Sequence, residues 1–229
     1  MMSIKFLDWL DEWFRELKSV RFAELYIKPD KTALVSVDMV KGFCSIGPLA
    51  SDDVAAIIPD LVEFFEKSYQ LGIKKYLLFQ DTHDSKTPEF GSFPPHCLKG
   101  SKEAETIDEL ANLPFSDEFI IFEKNSLSPA YRTGFDKWLS VNKGIENFII
   151  VGNCTDLCIY SHAMHLSLSA NAFNLKRRII IPENCVATYD MPVDTARKLK
   201  VIPHDREFLH KLFLYHLALN GVEIVRSIA

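Results

Sequence analysis

The stretch Phe148-Ile149-Ile150-Val151-Gly152-Asn153-Cys154-Thr155-Asp156-Leu157-Cys158-Ile159-Tyr160 decides the fold. Phe148 to Val151 is a short, wholly apolar run of the kind that forms a strand buried on both faces. Gly152 permits a turn, and a helical pattern follows from Asp156 to Ala170, carrying Cys158 in its first turn. Strand, tight turn and helix make the repeating unit of a parallel α/β sheet. A cysteine in the first turn of a helix lies near unsatisfied N–H groups and the positive end of the macrodipole. Both favour the thiolate, which is the nucleophilic form. The competing reading is a small side chain packed at a strand-to-helix junction, which for a lone cysteine is the commoner outcome. Partners elsewhere in the chain shift the balance.

Outward from this stretch, further strands read at 33–37, ended by Asp38, at 75–79, at 119–122, followed by Lys124, at 178–181 and at 222–228. Helical patterns read at 52–71, with Ser51 as N-cap and Gly72 as stop, and at 134–141, 192–199 and 205–219. Alternation of this kind predicts an α/β fold: a three-layer, doubly wound parallel sheet of six strands with right-handed crossovers. The expected Rossmann-like order is 3-2-1-4-5-6, and ligands in such sheets bind beyond the carboxyl ends of the strands at the switch point. Ile4, Leu7, Leu10, Trp13, Phe14, Leu17 and Val20 recur at three- and four-residue steps, which predicts an N-terminal amphipathic helix over 4–21. Its mixed polar face suits docking on the body or on a second copy of the chain, as a homo-oligomer, rather than on a membrane. The expected organisation is one domain over 1–229, with 1–31 as a helical extension.

At 229 residues and a net charge of −5 the chain has no dense basic tract; its longest basic run is Lys176-Arg177-Arg178. That argues against nucleic acid as a partner. Five cysteines, an odd number without a Cys-x-x-Cys pair, argue for a reducing compartment. No signal-peptide pattern and no apolar run of spanning length is present, so a cytoplasmic location is expected. A Gly-x-Gly-x-x-Gly fingerprint is missing after the first strand, which argues against a dinucleotide.

Asp38, Lys124 and Cys158 each follow a strand next to the switch point. A cysteine nucleophile needs a base for its proton and a cation for the resulting charge. Asp38 can be that base, and Lys124 can hold the carboxylate and the thiolate together. The long loop from Asp81 to Gly100 supplies Asp81 and His83, two apart on extended chain, then Glu89 and His96. Two imidazoles with one or two carboxylates suit Zn²⁺, Fe²⁺ or Mn²⁺. The plainer alternative is a polar loop whose histidines make ordinary hydrogen bonds. His162 and His165, one helical turn apart, read as surface or packing residues.

Three blocks resemble the signatures of the isochorismatase-like cysteine hydrolases: Val37-Asp38-Met39-Val40-Lys41-Gly42-Phe43, Glu123-Lys124-Asn125-Ser126 and Gly152-Asn153-Cys154-Thr155-Asp156-Leu157-Cys158. Within that superfamily, Asp81-Thr82-His83, Glu89 and Phe93-Pro94-Pro95-His96-Cys97 are similar to the metal-binding block of nicotinamidases. The resemblance implies a hydrolase for a small amide, nicotinamide, in pyridine nucleotide salvage. It implies Cys158 as nucleophile, Asp38 as base, Lys124 as charge partner, and a thioester intermediate. An oxyanion hole from the backbone N–H groups of Cys154 and Cys158 is implied too, with a cis peptide before Cys154. Asp81, His83 and His96, with Glu89 as a fourth, become ligands of a divalent metal, zinc being the first expectation. That metal would bind the pyridine nitrogen, and Phe43 and Phe93 would flank the ring. Departures are Asn153-Cys154, where small or aliphatic pairs are commoner, and Phe93, where many nicotinamidases carry Trp. The rival readings are another amide or carbamoyl hydrolase of the superfamily, and a non-catalytic binding module on the same fold.

Overall fold

The computed structural model describes residues 4–229. Its strands are β1 (Ser19–Val20), β2 (Thr32–Val37), β3 (Lys75–Asp81), β4 (Phe119–Lys124), β5 (Asn147–Asn153), β6 (Arg178–Pro182), β7 (Val186–Ala187), β8 (Glu223–Val225) and β9 (Ser227–Ile228). The main sheet is parallel and seven-stranded, in the order β4-β3-β2-β5-β6-β8, with short β7 pairing to β5 beyond the end of β6. Counting from β2 and passing over β7, this is the expected 3-2-1-4-5-6 arrangement, and the chain reverses direction across the sheet between β2 and β5.

Both faces of the sheet are covered, which is why its strands read as unbroken apolar runs. On one face Leu34, Tyr76, Leu78, Ile149 and Val151 pack with Leu61, Phe64 and Phe65 of the helix Ile58–Gln70. On the other, Val35, Val37, Phe79, Phe148 and Ile150 pack with Phe135, Ala163, Leu166, Leu214 and Leu217 from the helices Phe135–Val141, Tyr160–Phe173 and Arg206–Leu219.

Four expected elements differ. The helix over 52–71 is two, Asp52–Ala55 and Ile58–Gln70. Pro59 has no N–H to donate back to Ala55, so the second helix restarts with Pro in its first turn. Ser51 precedes the first helix but its side chain makes no cap bond. The helix after β5 opens as a π turn, Thr155–Ile159, before the α-helix Tyr160–Phe173. The N-terminal helix stops at Arg15, and the last strand breaks at Arg226, so that β9 leaves the main sheet to pair in parallel with β1. Arg226 causes the break: its N–H donates to Lys18 O at 2.9 Å, and its guanidinium donates to Glu183 at 2.7 Å and to the Phe14 carbonyl.

The N-terminal helix docks on the body of its own chain. Phe6, Trp9 and Trp13 set their rings edge-on to Tyr215, at centroid distances of 5.6, 5.5 and 5.8 Å. Lys211 pairs with Asp11 beside them. Among the described residues no helix is long and apolar enough to cross a membrane.

Gly152 lies in β5 opposite Val37, at φ +115°. A Cβ there would run into the Val37 carbonyl, and L side chains avoid that backbone conformation. Gly152→Ala is therefore expected to destabilise the protein by about 3 kcal/mol or more, strain and overlap adding. Urea denaturation measures it, and a change under about 1 kcal/mol would show that β2 and β5 can separate at this point.

Candidate active site

The ends of β2, β3, β4 and β5 converge on one crevice. Register does most of the placing: Asp81 lies opposite Lys124 across β3 and β4, and Val37 opposite both Phe79 and Gly152. At Asp38 the chain leaves β2 in the left-handed region, φ 54°, which aspartate tolerates better than most residues. Asp38 is pinned on every side. Its N–H donates to Phe79 O at 2.8 Å, its carbonyl accepts from Asn153 Nδ2 at 2.6 Å, and Oδ1 accepts from the Asp81 N–H at 2.8 Å.

Lys124 is fully buried and lies at the centre. Its Nζ is 2.8 Å from Asp38 Oδ2, bonds Asp81 Oδ1, and stands 3.4 Å from Cys158 Sγ. The reactive atoms of Asp38, Asp81 and Cys158 lie within 4.8 Å of one another. Burial alone would strip the Lys124 proton, but the two carboxylates outweigh it and hold the ammonium well above its ordinary pKa. Burial, reinforced by the Asp81 charge, pushes Asp38 up to about 6 against the pull of Lys124.

Cys158 departs from the expectation of a ready thiolate. Burial raises it well above the usual thiol range, and Asp38 and Asp81 add to the effect against Lys124. The position in the first turn and the neighbouring carboxylates follow from the sequence; complete desolvation of the thiol does not. The resting group is a thiol, and the Asp38 carboxylate, whose Oδ2 is 2.8 Å from Lys124 Nζ, lies within hydrogen-bond reach of it.

Asp81 also joins a second cluster. Its Oδ2 is 3.4 Å from His83 Nε2 and 3.7 Å from His96 Nε2, and Glu89 Oε1 is 3.7 Å from His83 Nε2. Donor atoms of Asp81, His83, Glu89 and His96 lie within 4.8 Å of one another. His83 Nε2 is buried without a hydrogen-bond partner, an orphan of the kind that a ligand resolves. Two carboxylates and two imidazole nitrogens match a divalent cation in number, charge and donor type. Phe43 and Phe93 stand at 5.5 and 6.4 Å from the His96 ring.

The Asn153–Cys154 peptide is cis, as the resemblance implies. Cys154 O accepts from Leu157 N and Ile159 N, both at 3.1 Å, and the second, five residues apart, is the bond of the π turn. The turn is tied down by Asp156, whose oxygens accept from Thr188 Oγ1 at 2.6 Å and His204 Nε2 at 2.8 Å. Sequence reasoning missed this anchor, because Thr188 and His204 are distant in the chain. It also missed Phe90, whose ring meets His83 and His96 at 5.5 and 5.6 Å; an aromatic directly after Glu89 was the available signal. His165 pairs with Asp136 at 2.9 Å, an acid that sequence proximity did not reveal. His162 packs in the core, as read, with its ring edge-on to Phe79.

The family model for the Isochorismatase domain matches residues 32–202. Nicotinamidase 1 of Arabidopsis thaliana is 25% identical over 222 residues, covering 88% of this chain and 88% of that protein. The nicotinamidase/pyrazinamidase of Mycobacterium tuberculosis is 31% identical over 142 residues, 56% of this chain and 74% of that one. Among solved structures, the pyrazinamidase of Pyrococcus horikoshii, crystallised in complex with zinc, is 21% identical with a TM-score of 0.66, covering 86% of this chain and 99% of that one. The chain belongs to the isochorismatase family and is a hydrolase acting on amides, which sets aside the non-catalytic reading.

His162 donates from Nδ1 to the Cys158 carbonyl at 2.7 Å and is otherwise enclosed, so burial pushes its pKa down to about 3. An unfolded histidine takes up its proton near 6.5. Between those values the unfolded state holds the extra proton at this residue, so the contribution of His162 to stability falls as pH drops from about 6.5 toward 3. His162→Gln is expected to flatten that dependence, read as the urea midpoint against pH. An unchanged slope would mean that His162 does not set it.

Proposed function

We propose that this hydrolase converts nicotinamide to nicotinate and ammonia through a thioester on Cys158. The observation that carries the reading is Asp81: one oxygen holds Lys124 of the Asp38–Lys124–Cys158 group, while the other faces His83 and His96. A nucleophile and a metal-type donor set thus share one residue in one crevice. Likeness to two proteins named as nicotinamidases supports the substrate.

In the first step the Cys158 S–H proton passes to Asp38 Oδ2 as Sγ bonds the amide carbon. The charge gathering on the amide oxygen is met by the backbone N–H groups of Cys154 and Cys158. Asp38 then gives its proton to the amide nitrogen, the C–N bond breaks, and ammonia leaves. Water attacks the thioester carbon while Asp38 takes a proton from it. The C–S bond breaks, the proton returns to Sγ, and the acid is released. Lys124 keeps its charge throughout and holds Asp38 and Sγ in place.

Asp81, His83, His96 and Glu89 would hold a divalent cation, Zn²⁺ or else Fe²⁺ or Mn²⁺, which would supply a Lewis acid for a ring nitrogen. Phe43 and Phe93, both beside the His96 ring, would flank a flat ring held there, and Phe90 backs the two imidazoles. The nearest alternative, hydrolysis of a carbamoyl or other non-aromatic amide, leaves that aromatic surround without a task.

Two measurements test the reading. Cys158→Ala is expected to abolish ammonia release, and Asp38→Asn to lower it by at least about two orders of magnitude, that being the usual scale of lost proton transfer. Near-normal turnover by Cys158→Ala would remove the thioester. Benzamide keeps the amide and the shape of nicotinamide but has no ring nitrogen. It is expected to turn over at least about a hundredfold more slowly, the scale of a lost positioning contact, and His96→Ala should erase most of the difference. Equal rates for the two amides would overturn the assignment of the donor cluster to the substrate ring.

A further inference from the structure

We infer that Asn125 is a positioning residue that fixes the tautomer of His83 and so aims its Nε2 at the cation; the inference rests on the metal reading above. Asn125 directly follows Lys124, in the loop that leaves β4. Its side-chain oxygen receives two contacts. The Asp84 backbone N–H donates to Oδ1 at 2.9 Å, and His83 Nδ1 is 3.1 Å from the same atom.

The first contact settles the second. A backbone N–H can only donate, so the atom facing Asp84 must be the carbonyl oxygen of the amide; a flipped amide would set two donors against each other. Oδ1 can only accept, so His83 Nδ1 must carry the hydrogen. In a neutral ring that leaves the lone pair on Nε2. This is the nitrogen that stands 3.4 Å from Asp81 and 3.7 Å from Glu89, buried and without a hydrogen-bond partner. His96 reaches the same state by another route: its Nδ1 donates to the Pro94 carbonyl at 2.8 Å, leaving Nε2 toward Asp81. Both imidazoles are therefore locked to present Nε2.

The two locks differ in kind. That of His96 is a main-chain carbonyl from its own loop, which no side-chain substitution removes. That of His83 is a side chain from a different loop, next to the central lysine. Asn125 thus couples the ligand geometry to the strand end that carries Lys124. Outer hydrogen bonds of this type raise ligand basicity and restrict ring rotation, and their loss commonly costs about 10- to 100-fold in metal affinity.

The test is Zn²⁺ affinity, measured on chelator-stripped full-length protein by competition with a chromophoric chelator at fixed pH. Wild type is expected to take up one Zn²⁺ per chain. Asn125→Ala is expected to bind about 10- to 100-fold more weakly, a larger loss than any drop in the metal-free melting temperature accounts for. Asn125→Asp keeps an acceptor for both N–H groups and adds charge, so it is expected to match or exceed wild type. A residue that merely braced the loop would shift the metal-free melt and leave no such ordering. The His83 Nδ1 proton gives a second readout: in the zinc-loaded protein it should resist exchange in wild type and Asn125→Asp, and exchange freely in Asn125→Ala. Should Asn125→Ala fail to fold, Asn125→Asp decides, and weaker binding by it overturns the inference. Wild-type-like affinity of Asn125→Ala, within about threefold, overturns it while leaving the metal reading intact. A wild-type protein that takes up no zinc overturns both.

Discussion

The buried ammonium of Lys124 is the interaction on which the rest of the site depends. Removing a charge from water is costly, and only close partners of opposite sign offset it. Here Asp38 and Asp81 supply two, and Cys158 Sγ completes the surroundings at 3.4 Å. Each partner arrives from a different strand, so the lysine is stable only if β2, β3, β4 and β5 are all in register. The pairing of Asp81 with Lys124, and of Val37 with Phe79 and Gly152, is that register. The register of the sheet is thus what assembles the site.

The charge count explains why the thiol rests protonated. Two carboxylates and one ammonium leave the group one negative charge in excess, in a site fully shielded from water. A thiolate would add a second, and burial with two carboxylates outweighs the single lysine. In the proposed reaction the anion would be required only when substrate is present, with Asp38 holding the proton and returning it to the leaving nitrogen. On the far side of Asp81, the orphaned His83 nitrogen and the Glu89 carboxylate add demand for positive charge. A dication would answer that demand without disturbing the lysine, because Asp81 Oδ1 faces Lys124 and Oδ2 faces the two imidazoles.

Much of this was legible in the sequence, for reasons that can be named. Apolar runs buried on both faces mark the strands, and the residue after each run projects beyond the carboxyl edge. That is why Asp38, Asp81, Lys124 and Cys158 could be placed together from order alone. What escaped was long-range or steric. The break at Arg226 depends on Lys18, Phe14 and Glu183, which lie far apart in the chain. The π turn at Thr155–Ile159 is hidden within a helical pattern. Asp156 looked like a residue of the first helical turn, and its partners Thr188 and His204 appear only in three dimensions. Asn125 stood inside a recognised block, yet its task is set by a backbone N–H at Asp84 that sequence does not locate.

The two halves of the site are built to different standards of permanence. Asp38, Lys124 and Cys158 sit at strand ends in the centre of a covered sheet, where a change of residue disturbs packing on both sides. The donor cluster and the phenylalanines sit mainly on the connection after β3, the kind of segment that varies while a scaffold stays constant. That connection is still held firmly. His83 N donates to Cys97 O at 2.9 Å, Lys99 N returns to His83 O at 3.0 Å, and Cys97 N donates to Glu103 at 3.0 Å. Asn125 adds a tie from the rigid half to the variable one. The Asp38–Lys124–Cys158 group is therefore placed by the sheet, and the donor cluster mainly by the loop. Because Asp81 belongs to both, the start of the loop is tied to Lys124 and held beside Cys158.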